Sequence, residues 1–189
     1  MENAVAFDNK NVERILQEGW NLFERKGFRG VSLDELCLQC SLTKPTVYYY
    51  FHNKENLYVQ VLRYKLRGFH QVIEQPGTLT ERLERIAASI LESFQVETSV
   101  LMRDRQYIKR PQALQQIKDA FHSELFGPLI ALMRQGIEQG NLNGDNPEML
   151  TLIFLGSVNN FIGKAGEMQL TNTDLARQLT SYFLNGAKR

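Results

Sequence analysis

The chain is poor in the residues that carry most catalytic and metal chemistry: it has two cysteines, three histidines and one tryptophan in 189 residues. A zinc site takes about four ligands, and beyond Cys37 and Cys40 only His52, His70 and His122 are available. There is no G-x-S-x-G, no H-E-x-x-H, no phosphate-cradling glycine loop and no paired His/Cys arrangement. No enzymatic centre, metal or cofactor is therefore expected. No segment has the length and apolarity of a membrane span. The start, MENAVAFDNKNVER, lacks the positive run and apolar core of a secretory signal. A cytoplasmic protein with both thiols reduced is the expectation. Five prolines and few alternating apolar-polar runs argue against sheets, while a hydrophobic content of 43% is enough for a core. An all-α chain is expected.

What is present concentrates in SLDELCLQCSLTKPTVYYYFHNKENL, residues 32–57. Ser32 and Glu35 have the spacing of a capping box, and Val31 and Leu36 that of a hydrophobic staple. Leu33, Leu36, Cys37 and Cys40 recur at i, i+3, i+4 and i+7, one buried helical face. Ser41-Leu42 reads as a turn and Thr43 as the next N-cap. Pro45 falls in the first turn of the following helix, where its missing N–H costs nothing. Val47 and Phe51 point inward together, which leaves Lys44, Thr46, Tyr48 and Tyr49 outside. Asn53 caps a third, long helix that begins with Lys54. Two short helices about a tight turn, with polar and aromatic groups crowded on the second, are the layout of a helix-turn-helix.

From Ile15 to Leu57 the chain resembles the N-terminal domain of the TetR/AcrR (tetracycline-repressor) family of bacterial transcription regulators. The matching residues are Ile15, Leu16, Leu22, Phe23, Gly27, Phe28, Ser32, Leu36, Leu42, Thr43, Lys44, Thr46, Tyr48, Tyr49, Phe51, Lys54 and Leu57, and the run TVYYYFHNKENLY is the most specific part. The resemblance implies a three-helix DNA-binding domain over residues 1–53. A helical effector-binding and dimerisation domain would follow over 54–189, with 54–75 as the connecting helix. The implied DNA contacts are Ser32, Thr43, Lys44, Pro45, Thr46, Tyr48, Tyr49 and Lys54. Lys44 would reach a base edge, Pro45 and Thr46 a thymine methyl or a phosphate, and Tyr48 and Tyr49 phosphates and sugars. Lys54 and Ser32, each at a helix start, would hold phosphates. One departure is Ser41, where the family usually has glycine; a left-handed serine there costs on the order of 1 kcal/mol.

Charge fits this reading loosely. The net charge is +1, and residues 1–57 carry seven Lys+Arg against eight Asp+Glu. Few phosphate contacts and a moderate salt dependence are therefore expected. The C-x-x-C of Cys37 and Cys40 raises the alternative of a redox switch or a metal site. Both sulfurs fall on the buried face, so packing is the favoured reading.

Along the rest of the chain, a first helix is expected over Asn9–Arg25 with Gly27 as its C-cap, and a long helix from Lys54 to before Pro76-Gly77, ~33 Å long. Thr80 is expected to open a fifth helix that turns Leu83, Ile86, Ala87, Ile90, Leu91 and Phe94 inward. A long helix over Gln112–Gln139 should be kinked or broken at Gly127-Pro128. The last two helices are expected over Pro147–Gly166 and Thr173–Asn185. From Asn146 to Gly163 the only charge is Glu148, and a helix apolar nearly all round has to be covered on several sides. Gly156, Asn160 and Gly163 on one face, with Leu175, Leu179, Tyr182 and Phe183 on the final helix, form the candidate homodimer interface. The family resemblance implies dimerisation through these two helices, with recognition helices ~34–36 Å apart on a palindromic operator.

Phe94, Met102, Tyr107, Phe121, Leu125, Leu129, Met133 and Asn160 are the candidate lining of an effector pocket for a largely apolar small molecule. Ordinary bundle packing is the alternative for each taken singly. Arg103, Arg105, Lys109 and Arg110 with Asp104 form a basic cluster that reads as solvated surface or an anion contact. The expected function is a ligand-responsive regulator, most simply a repressor. The alternative is a helix-turn-helix protein without a small-molecule effector, acting through protein partners.

Overall fold

The computed structural model describes residues 10–94 and 104–187. Met102 and Arg103 lie outside the described residues. The elements are α1 (Lys10–Gly30), α2 (Leu33–Cys40), α3 (Lys44–Phe51), α4 (Lys54–Ile73), α5 (Leu79–Ser93), a 3₁₀ turn (Arg105–Tyr107), α6 (Pro111–Phe121), a π-helical segment (His122–Phe126), α7 (Gly127–Glu138), α8 (Pro147–Asn160) and α9 (Asn172–Ala187). The fold is all-α, with no strand among the described residues. No helix among them is long and apolar enough to cross a membrane.

The chain forms two compact units: residues 1–65 with 99–120, and residues 66–98 with 121–189. These do not follow a cut after residue 53, because the first half of α4 and the segment around Asp104 belong with the helix-turn-helix.

In the first unit, Val12, Ile15, Leu16, Leu22 and Phe23 of α1 are buried, as their 3.6-residue spacing requires. They meet Leu36 and Cys40 of α2, Val47 and Phe51 of α3, and Leu57, Tyr58 and Val61 of α4 in one core. Gly19 sets how closely α1 and α4 approach: a Cβ there would lie 2.8 Å from Val61 Cγ2. Gly27 breaks the helical path with φ 68 and ψ 172, and one further turn carries α1 to Gly30. The expected cap is therefore an internal break that only glycine makes without strain.

In the second unit, α5 buries Leu83, Ile86, Ala87, Ile90 and Leu91, α9 and α8 pack against it, and α7 packs on α8. Thr78, not Thr80, caps α5. Its hydroxyl accepts from Glu81 N while Glu81 reaches back to Thr78 N at 2.8 Å, a complete capping box. Gly127-Pro128 does not break the helix. The wider π-helical turn over His122–Phe126 precedes it and spares the carbonyl that a proline ring would otherwise strike. After Asn160 the chain leaves the helix, and Gly163 sits in a turn at φ 78. The expected helix to Gly166 is thus too long by two turns, and Gly163 does not share a helical face with Gly156 and Asn160.

Candidate nucleic-acid interface and partner face

The helix-turn-helix is built by local caps. Ser32 is extended (φ −100, ψ 148), and its hydroxyl accepts from Glu35 N at 3.1 Å. Glu35 completes only half of the expected box, because its carboxylate pairs with Lys26 of α1. Ser41 closes α2 in the left-handed region, φ 52 and ψ 41. Leu42 N then returns to Cys37 O at 2.9 Å. The left-handed residue at the turn is thus a serine, with the strain expected of one. Thr43 holds the N-cap position of α3, but its hydroxyl meets the Thr46 hydroxyl at 2.9 Å rather than a backbone amide.

On α3, Val47 and Phe51 are buried, and the helix packs against α2. Tyr48 and Tyr49 point outward, 45% and 76% exposed, with Lys44 and Pro45 exposed beside them and Thr46 half-buried. Tyr50 is half-buried, edge-on to Tyr49 at 5.2 Å. Two exposed tyrosines on an eight-residue helix leave apolar area in water, which a stable fold has no reason to keep unless something covers it. Lys44 Nζ pairs with Asp34 of α2 at 2.7 Å, and that hydrogen bond holds its pKa above the ordinary lysine value. Both partners are well exposed, so the pair is weak and a phosphate or base edge competes with it.

The structure turns Lys54 inward. Its Nζ donates to Val31 O at 2.5 Å and lies 4.7 Å from the centre of the Phe28 ring. Burial pushes its pKa down. The ammonium is spent on the end of α1, and Asn53 Oδ1 takes the Asn56 amide at 2.9 Å, so the start of α4 offers no free lysine to a phosphate. Between α3 and α4, His52 adopts φ 61 and ψ −40, a strained position with no signature in the sequence.

Cys37 and Cys40 are both free and buried. Burial pushes both thiols up, Cys40 to about 11. Thiols held protonated are poor nucleophiles and poor metal ligands. No group of three or more His, Cys, Asp or Glu suited to a metal occurs among the described residues.

The partner face also needs correction. Leu175, Leu179 and Phe183 of α9 are buried within the chain, and Phe183 meets Phe154 edge-on at 5.3 Å. Of the expected stripe only Tyr182 is outside, 73% exposed. The outward apolar groups of α8 are Met149, Leu152 and Ile153. Gly156 and Asn160 are exposed as well, and a Cβ built on Gly156 meets nothing within 4 Å.

The expected pocket residues fall in both units. Tyr107 belongs to the first unit, beneath the Arg29 guanidinium at 5.1 Å. Phe94, Phe121, Leu125, Leu129 and Met133 belong to the second. There Phe94 stacks on Phe69 at 5.7 Å, and Leu125, Leu129 and Met133 are buried. Asn160 is exposed and donates to Gly156 O at 2.9 Å, back along its own helix. Met102 is outside the described residues. A groove of about 430 Å³ in the second unit is lined by Thr78, Arg82, Leu132, Gln135, Gly136 and Asn141 among others, and by none of the expected residues. In the basic cluster the described cations are solvated, as expected. Lys109 and Arg110 are exposed, but Asp104 is 5% exposed and turned inward. The sequence placed Asp104 among surface cations and passed over Tyr58, its buried partner. Both roles depend on contacts remote in sequence.

Residues 15–61 match the family described as bacterial regulatory proteins, tetR family. The HTH-type transcriptional regulator UidR of Escherichia coli strain K12 is 24% identical over 160 residues, which is 82% of this chain and 81% of that protein. Among solved structures, the transcriptional regulator FadR from Bacillus subtilis, in complex with stearoyl-CoA, superimposes with a TM-score of 0.72 at 14% identity, over 92% of this chain and 98% of that one. AibR, in complex with isovaleryl coenzyme A and operator DNA, does so with a TM-score of 0.69 at 19% identity, over 92% and 97%. Residues 15–61 thus carry the N-terminal domain of the tetR family of bacterial regulatory proteins, and the all-α fold is shared over nearly the whole chain.

Proposed function

We propose that the protein is a ligand-responsive transcriptional repressor that binds a palindromic operator as a homodimer. The observation that carries the reading is α3. An eight-residue helix that starts after Thr43 and buries Val47 and Phe51 presents Lys44, Thr46, Tyr48 and Tyr49 outward. Lysine near a recognition-helix N-terminus suits a guanine edge, and tyrosine hydroxyls suit phosphates. A second copy across Met149, Leu152, Ile153, Gly156 and Tyr182 would cover apolar groups that are exposed in one chain. Two reading helices on a palindrome take half-sites about one DNA turn apart.

The effector half of the reading is supported by fold likeness and by core composition. FadR and AibR are seen with acyl-coenzyme A thioesters, and the second unit here is rich in buried aliphatic and aromatic side chains. An effector with a substantial apolar part is the reading that this composition favours. If it favours one tilt of α4, a coupling of ~1–3 kcal/mol lowers operator affinity about 5–150-fold.

Selection of bound sequences from random duplexes tests the DNA reading. The expected product is a palindrome with half-sites one turn apart, bound by the parent and not by a Tyr48→Ala/Tyr49→Ala variant. Recovery of no preferred sequence would sink it. Thermal shift with a series of acyl-coenzyme A thioesters, followed by release of labelled operator, tests the effector reading separately.

A further inference from the structure

We propose that Asp104 is a positioning residue for the reading helix, and that the segment 104–110 is the control point for DNA affinity. This rests on the reading of α3 as the DNA-contacting helix. Where α1 breaks at Gly27 (φ 68, ψ 172), the Phe28 amide leaves the helical ladder inside a buried site. A buried amide needs an acceptor, and the helix no longer supplies one. Asp104 Oδ2 does so at 2.7 Å. The carboxylate lies directly on the bare α-carbon of Gly27, where a Cβ would fall 3.1 Å from Asp104 Oδ1.

The same oxygen accepts from the Tyr58 hydroxyl of α4 at 3.4 Å. The Tyr58 ring, 1% exposed, stands edge-on to Phe23 and Phe28 at 5.0 and 5.3 Å. Lys54 closes the group from the other side, over Phe28 and onto Val31 O. One carboxylate thus joins the last turn of α1 to α4.

The segment is fastened a second time at its other end. Both oxygens of Glu55, in the first turn of α4, accept backbone N–H groups: Lys109 N at 2.9 Å and Arg110 N at 3.3 Å. Arg110 Nη1 donates to Asn56 Oδ1 at 3.0 Å, and Arg29 covers the Tyr107 ring. Now α2 and α3 hang between Val31 and Asn53. The chain just outside each end, at Phe28 before Val31 and at Glu55 and Asn56 after Asn53, is held by residues 104–110, about fifty residues downstream of the helix whose attitude they fix. A shift of that segment frees the Phe28 amide and the first turn of α4 at once, and α3 loses its set angle without any change in the groups it presents.

The test uses the full-length protein with Asp104→Ala, Asp104→Asn and Glu55→Gln. Hydrogen exchange over residues 27–32 is read without DNA, and operator affinity is read on a selected site and on base-substituted versions of it. The expected result for Asp104→Ala is exchange at the Phe28 amide faster by about tenfold or more and operator binding weaker by about tenfold. The ranking of substituted sites should stay unchanged, because the residue orients the reader and does not read. Asp104→Asn, which keeps one acceptor oxygen, should fall between and covers the case in which the alanine variant does not fold. Parent-like affinity alongside accelerated exchange would overturn the assignment, as would parent-like exchange in both Asp104 variants. An altered ranking of sites would overturn it too, since Asp104 would then be acting as a reader. A parent that selects no DNA sequence removes the underlying reading itself, and is told apart because it fails before any variant is made.

Discussion

Two helices, α3 and α8, break the rule that α1 and α5 obey. Where α1 and α5 bury one stripe and leave their charges outside it, the buried Glu24 of α1 excepted, α3 and α8 carry large apolar or aromatic groups on both faces. Outside α3 these are Tyr48 and Tyr49; outside α8 they are Met149, Leu152 and Ile153. The difference is in what accompanies the carbon. On α3 every outward group but Pro45 brings a hydroxyl or a charge, Thr46 and Lys44 included, which suits a wet, anionic partner. On the middle of α8 there is only hydrocarbon and the bare Gly156, which suits a dry partner that approaches closely. Each helix gave up amphipathicity for a second surface, and the chemistry of that surface tells the two partners apart.

The sharpest way to break the comparison is to put a charge on α8. Leu152→Glu or Ile153→Glu would bury an unpaired carboxylate if a second copy covers this face, at a cost of several kcal/mol. The expected outcome is a folded monomer by light scattering, with operator binding lost because one reading head holds half a site. Tyr49→Glu on α3 should abolish DNA binding and leave the dimer untouched. A Leu152→Glu protein that stays dimeric would place the interface elsewhere. Gly156→Arg is the companion test: the monomer has room for the side chain, so any loss of assembly reports a partner.

Next in size is the reading helix itself. Lys44→Ala should weaken operator binding by ~1–3 kcal/mol and relax the preference at one base pair in each half-site. The ion pair with Asp34 gives a control that works in the opposite sense. Asp34→Asn releases the ammonium and removes a nearby negative charge, so affinity should hold or rise. Anisotropy titrations of both variants decide it, and a fall in the Asp34→Asn variant would show that the pair, not the free lysine, meets the DNA.

Much of this was legible in the sequence, and what was not has a common cause. The helix-turn-helix could be read because its signals are local: Ser32 three residues before Glu35, Thr43 before Pro45, Val47 four before Phe51. The faces of α1 and α5 could be read from period alone. Lys54 could not. Its position at a helix start suits a phosphate, but Val31 O, twenty-three residues back in the chain, took the ammonium first. Leu175, Leu179 and Phe183 were misplaced for the same reason. A stripe on a helix says that something covers it, and the sequence does not say whether that is the same chain. The end of α8 was overrun because apolar residues continue past Asn160 through turns, which pattern alone does not separate from helix.

Beneath the wet face of α3 the two cysteines test how dry the other side is. Burial holds the Cys40 thiol up at about 11 against an ordinary 9.0. Between those values the unfolded chain has lost a proton that the folded chain keeps, so stability falls as pH rises from 9 towards 11. The size is on the order of 2 kcal/mol, from 1.36 kcal/mol per unit. Urea unfolding at pH 8 and pH 10.5 should show a steeper loss in the parent than in Cys37→Ala/Cys40→Ala. DNA binding by the parent should not respond to peroxide. Reversible loss of binding with oxidant, absent from the double variant, would replace packing by a switch.

The smallest expected effect on DNA binding is at Lys54, and it separates position from orientation. Each lysine that neutralises a phosphate contributes about 0.9 to the slope of log K against log salt, through the counterion it releases. A lysine whose Nζ is bonded to Val31 O and covered by Phe28 releases none. Lys54→Gln should therefore leave the salt slope of operator binding unchanged, while Lys44→Ala, if Lys44 reaches a phosphate as well as a base, lowers it by about one. The cost of Lys54→Gln appears in stability, because the glutamine amide donates more weakly to Val31 O and gives up the cation over Phe28, together about 1 kcal/mol. Titrations at four salt concentrations, beside a urea melt, read both quantities on one preparation. A slope that drops by one in Lys54→Gln would mean that the side chain swings out when DNA arrives and abandons Val31. The end of α1 would then change its contacts on binding, and the start of α4 would join α3 as part of the reading surface.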